Sequence, residues 1–118
     1  MLFKRILNKL TMFPKNDRVP KEKIKKVLFE GQKTQTELFL LRKKENNLKN
    51  ERVAIVVSKK NTKSAVKRHY LKRLYKSIIR EYIKNNPKKD KNDWVFVLNK
   101  KAAETNKNDI MSVLKNLN

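Results

Sequence analysis

Apolar positions change their rhythm several times along the chain, and each change marks an element. After a polar stretch punctuated by Pro14 and Pro20, Ile24, Val27 and Leu28 recur at helical spacing, and the only glycine, Gly31, follows. Proline is tolerated at a helix start and glycine suits its end, so the spacing predicts a helix over residues 21–30. From Gln32 to Arg42, Thr34, Thr36, Leu38, Phe39, Leu40 and Leu41 favour extended backbone, as one strand or two. Lys43–Asn50 reads as a polar turn. Arg52–Ser58 holds the unbroken apolar run Val53–Val57, which suits a strand covered on both faces. A polar loop, Lys59–Ser64, offers Thr62 or Ser64 as helix N-cap. The long helix that follows should stop near Asn85, because Pro87 pushes the residue before it out of helical geometry. Trp94–Leu98 is again extended, and Ile110, Val113, Leu114 and Leu117 mark a last helix.

Three helices and about four strands make an α+β fold, with a long helix connecting two strands that can lie parallel. Residues 18–118 form one small domain, with residues 1–17 as a basic appendage. Met1–Leu10 could form an amphipathic helix, but it lacks the long apolar core and small-residue cleavage site of a secretory signal.

The long helix changes the picture from fold to function. Wound at about 100° per residue, it gathers Arg68, Lys72, Lys76, Arg80, Arg73 and Lys84 on one arc. Tyr70, Leu74, Ile78, Leu71, Tyr82, Tyr75 and Ile79 fall on the other. Such a helix buries one side and presents cations about one turn apart. Over the whole chain, 32 Lys and Arg against 11 Asp and Glu leave a net charge of +21. Self-repulsion on that scale calls for a polyanionic partner, and a phosphate backbone fits the cationic arc.

Composition also narrows the chemistry. There is no cysteine, hence no disulfide framework or thiolate metal site, and a single histidine, His69, has no second imidazole to work with. Glycine poverty removes the phosphate-cradling loops of nucleotide enzymes. Asp90 and Asp93 flank a turn, where capping is the ordinary role of such residues. His69 lies among the cations and is better placed to stack on RNA or donate one hydrogen bond than to catalyse. Phe39, Phe96 and Trp94 could stack on bases, although aromatic residues on strands more commonly fill the core.

The apolar strand ending in Ser58-Lys59-Lys60, a short loop, and then Ala65-Val66, Arg68, Lys72-Arg73-Leu74 and Lys76 resemble the signature of the bacterial ribonuclease P protein subunit. Arg18, the spacing of Ile24, Val27, Leu28, Gly31 and Phe39, and Asp93-Trp94-Val95 extend the resemblance over residues 18–117. Three departures stand out: Arg68-His69-Tyr70 replaces the usual Arg-Asn-Arg, the loop between Lys60 and Ala65 is one residue longer, and Ile24 and Leu28 replace aromatics on the first helix.

The resemblance implies an α-β-β-β-α-β-α order, a ribosomal protein S5 domain 2-like fold, and a left-handed crossover. It further implies a cytoplasmic protein whose partners are the catalytic ribonuclease P RNA and precursor tRNA, with no small-molecule substrate and no membrane. Magnesium would be bound by the RNA rather than by a protein site, and the chain would contribute no catalytic residue. The RNA-binding set expected on this basis is Lys59, Lys60, Lys63, Lys67, Arg68, His69, Lys72, Arg73, Lys76 and Arg80. A cleft of Ile24, Leu28 and Phe39 would hold the single-stranded 5′ leader of the precursor. The alternatives are a ribosomal or other structured-RNA-binding protein with no part in cleavage, a protein nuclease using Asp90, Asp93 or Glu81, and a membrane-surface protein using Met1–Leu10.

Overall fold

The computed structural model describes residues 18–87 and 89–117. The appendage and the amphipathic helix expected within it lie outside the described residues. Helix α1 spans Lys21–Glu30, strands β1, β2 and β3 span Gln32–Gln35, Phe39–Glu45 and Arg52–Val57, and the long helix α2 spans Ala65–Asn85. Strand β4 covers Asn92–Leu98, followed by a 3-10 turn at Lys100–Glu104 and helix α3 at Lys107–Lys115. The order matches the sequence expectation, with the extended stretch after Gly31 broken into two strands. The 3-10 turn has no signature in the apolar spacing.

One mixed sheet runs β1-β2-β4-β3. β1 pairs antiparallel with β2 and β2 with β4, whereas β3 and β4 are parallel and joined through α2. The chain enters beside β3, where Arg18 bridges to Val53 and the Val19 N–H donates to the Val53 carbonyl at 3.4 Å.

Strand alternation divides the apolar residues between two faces. On one face Phe39, Leu41, Val53, Ile55, Trp94, Phe96 and Leu98 meet Leu71, Tyr75, Ile78, Ile79 and Tyr82 of α2 and Ile110 and Leu114 of α3. Phe39 meets Phe96 edge-on at 5.0 Å, and Trp94 stacks on Phe96 at 6.1 Å. The three strand aromatics are therefore core. The Tyr75 hydroxyl donates to the Ala102 carbonyl at 2.8 Å, tying the 3-10 turn to α2, and burial pushes the phenol's pKa up.

The opposite face carries a smaller cluster of Val19, Val27, Ala54 and Val95, with Ile24, Leu28, Val56 and Val97 packed around it. Here α1 lies on the sheet. Gly31 ends α1 with an ordinary φ of −70°. The need is for space: a Cβ would collide with the Val27 carbonyl and press on the Lys43 backbone at 3.2 Å.

Two placements differ from the sequence reading. Phe39 is fully buried with α2 on the face opposite Ile24 and Leu28, because its alternation in β2 aligns it with Leu98 and the main core. Tyr70 is 60% exposed. It lies about 120° around the helix from the centre of the buried residues, beyond the part of the arc that the sheet covers. Among the described residues, no helix is long and apolar enough to cross a membrane.

Candidate nucleic-acid interface

The approach to α2 is built by local hydrogen bonds. Ser58 Oγ accepts from the Asn61 N–H at 3.1 Å and the Ser58 carbonyl from the Thr62 N–H at 3.0 Å, turning the chain as soon as β3 ends. Ser64, with extended backbone, accepts from the Lys67 N–H at 3.2 Å and caps the helix. Thr62, the other candidate cap, is buried instead, and its hydroxyl has no protein partner. Lys59, Lys60 and Lys63 are left exposed on this loop.

Arg68 has a second task. Its Nη1 donates to the carbonyls of Thr62 and Lys63 at 2.9 and 2.8 Å, pinning the loop against the first turns of α2. The remaining donors of its fork are left for an anion. Lys67, His69, Lys72 and Arg73 are exposed, whereas Lys76 and Arg80 are half-buried. Among the described residues, none of Lys59, Lys60, Lys63, Lys67, Lys72 and Arg73 lies within ion-pair distance of a carboxylate; the pairs present are elsewhere.

Lys76 shows what this crowding does. Its amine has a lowered pKa, first through burial and then through the positive charges of Arg18 and Lys72. Arg18 thus joins the cationic surface from the entry segment beside β3. Helical spacing alone could not reveal this, because the neighbour lies more than 50 residues away in the chain. Bound phosphate would relieve the repulsion.

The second predicted site is only partly assembled. Ile24 and Leu28 stay together beside the sheet, but the strand residues facing them are Leu40, Val56 and Val97 rather than Phe39. The register aligns Leu40 with Val97 and Val97 with Val56, giving a half-buried apolar row across three strands. One row along, Arg42 donates from Nη1 to the Gly31 carbonyl at 2.9 Å, and its buried Nε has no protein partner. Alternation counted from Phe39 would have put Leu40 on the opposite face. The unbroken run Val53–Val57 offered no such signal.

Asp93 and Glu51 are engaged in structure. Asp93 is 4% exposed; its two oxygens accept from Arg52 Nε and Nη2 at 2.7 Å each, and Oδ1 also accepts from Asn46 at 2.9 Å. Glu51 accepts from the Trp94 indole and the Asn92 N–H, each at 3.0 Å. Glu81 lies 3.9 Å from Lys107, and Asp90 is exposed in the loop before β4. Among the described residues, no three His, Asp or Glu side chains converge.

Comparison with known proteins bears on the fold and the family. The ribonuclease P protein from Thermotoga maritima is 26% identical, with a TM-score of 0.67 over 85% of this chain and 93% of that one. A Staphylococcus aureus RNase P protein mutant, described as defective in mRNA degradation activity, shares the fold at 21% identity. Its TM-score is 0.68, covering 98% of this chain and 91% of that one. A search of curated protein sequences gives no match. The ribonuclease P family profile matches residues 13–118, which include the entry segment, both faces of the sheet and the whole of α2. With the family profile matched over nearly its full length, the chain belongs to the ribonuclease P protein family.

Proposed function

We propose that this protein is the cytoplasmic protein subunit of ribonuclease P, assisting removal of the 5′ leader from precursor tRNA by a catalytic RNA. The observation that carries the reading is the exposed cationic arc of α2 in a member of this family, where Lys67, Lys72 and Arg73 have no carboxylate within ion-pair distance among the described residues. Lys59, Lys60 and Lys63 at the loop, with Arg18, Lys67, Arg68, His69, Lys72, Arg73, Lys76 and Arg80, bind the RNA. Arginine contributes forked contacts and lysine mobile point charges. Ile24, Leu28, Leu40, Val56 and Val97 receive the leader, whose unpaired bases need an apolar surface more than charge. Magnesium is held by the RNA, which supplies the chemistry; the protein's neutralisation of phosphates lowers the magnesium concentration needed for folding and cleavage.

Reconstitution tests this directly. Bacterial ribonuclease P RNA, precursor tRNA and the protein are combined at low magnesium, with each component omitted in turn. Leader removal should need the RNA and be strongly stimulated by the protein. Cleavage by RNA-free protein would replace this reading with a protein nuclease, and no stimulation would leave an RNA-binding protein without a role in cleavage. Alanine at both Lys72 and Arg73 should weaken RNA binding and reduce its log–log salt slope by about 0.9 for each phosphate that is no longer neutralised.

A further inference from the structure

The crest of α2 is not uniformly cationic. Val66 is 82% and Tyr70 60% exposed; four residues apart, they lie one above the other on the helix. Leu74, four residues further on, is half-buried against the main core. The three form an apolar strip climbing from the rim of the core to the outermost side of the helix. Lys67 and Arg73 stand three residues to either side of Tyr70. Both are exposed, and neither has a carboxylate within ion-pair distance among the described residues. The ring contacts among the described residues join Phe39, Phe96, Trp94 and Lys43, and none of them engages the Tyr70 ring.

An exposed aromatic ring bracketed by cations matches the two halves of a nucleotide. The ring offers a stacking plane to a base, while the cations take the phosphates on either side. Lys67 and Arg73 are about 9 Å apart along the helix axis, within reach of one nucleotide's two flanking phosphates. A second copy of the chain is disfavoured as the occupant, because each copy carries a net charge of +21.

We propose that Tyr70 stacks on an unpaired base of the RNA partner, with Val66 packed against the same nucleotide and Lys67 and Arg73 on its phosphates. The proposal rests on the RNA-binding reading above and adds to it an interaction whose strength does not depend on charge.

The two contributions separate in their response to salt. Affinity for bacterial ribonuclease P RNA is measured between about 50 and 200 mM salt for the wild type, Tyr70→Ala, Tyr70→Phe and Arg73→Ala. Removal of one stacked base corresponds to roughly 5- to 150-fold weaker binding. Tyr70→Ala should show that weakening at every salt concentration with its slope unchanged, and Tyr70→Phe should recover most of it. Arg73→Ala should flatten the slope.

If Tyr70→Ala binds within about twofold of wild type while Arg73→Ala flattens the slope, the stacking proposal is wrong and the RNA-binding reading survives. If the wild type itself fails to bind, that reading falls. A slope change in Tyr70→Ala equal to that in Arg73→Ala would also overturn stacking, since the residue would then act through the placement of charge. Sedimentation gives a separate check: wild-type self-association abolished by Tyr70→Ala would assign the strip to a second copy and overturn the proposal. Unchanged circular dichroism and thermal unfolding of Tyr70→Ala establish that the exposed side chain was removed without loss of fold.

Discussion

At the scale of single residues, buried charge has been resolved in two different ways. Asp93 and Arg52 meet in a two-pronged ion pair with side chains only 6% and 13% exposed. Removing one partner strands the other in a desolvated position, so Asp93→Ala should cost about 3 kcal/mol in equilibrium urea unfolding. Arg52→Met added to it should recover part of that loss. Leader cleavage measured well below the unfolding transition should survive both changes; its abolition in a folded variant would point to Asp93 as a reacting group.

Lys76 is the opposite case, a half-buried cation facing further cations. Its folded-state pKa lies below the ordinary 10.5, so folding disfavours the charged amine. The penalty is in full force at pH values below the folded pKa and fades as pH rises toward 10.5. Lys76→Met should therefore raise the melting temperature at pH 7, with a smaller gain near pH 10. An equal gain at both would assign the effect to packing rather than charge.

At the scale of elements, α2 combines three roles in 21 residues. Its buried residues carry the main core, its exposed arc presents the cations, and its first turn anchors the Ser58–Ser64 loop. Ser64 and Arg68 join these roles, one capping the helix and the other bridging to the loop carbonyls. Ser64→Ala should cost about 1 kcal/mol, or roughly 4 °C in melting temperature for a domain of this size. Amide exchange should show the weakened protection concentrated at Lys67, whose N–H the serine accepts. Uniform weakening along α2 would mean that the cap is coupled to the whole core.

Elements were also the most legible level of the sequence. The first helix, the strand before the basic loop and the long helix were each bounded by a proline, a glycine or a capping serine whose effect is local. The 3-10 turn left no trace in the apolar spacing; its local signal is Asn99, whose side chain accepts from the Ala102 N–H at 3.1 Å, while the bond from Tyr75 to Ala102 joins residues 27 apart.

At the scale of the whole molecule, the sequence by itself determined the succession of elements, the small α+β fold and the cationic helix face on which the proposal of a polyanionic partner rests. These depend on composition and on periodicities that repeat within a few residues. Tertiary structure decided which partner each face meets. It sent Phe39 to the main core and put Leu40, Val97 and Val56 beside Ile24 and Leu28, because strand register joins segments distant in the chain and each one-residue step reverses the face. It likewise brought Arg18 near Lys76 and left Tyr70 uncovered. A helical wheel gives the angle of a side chain, but only the packed sheet sets how far around the helix its cover extends.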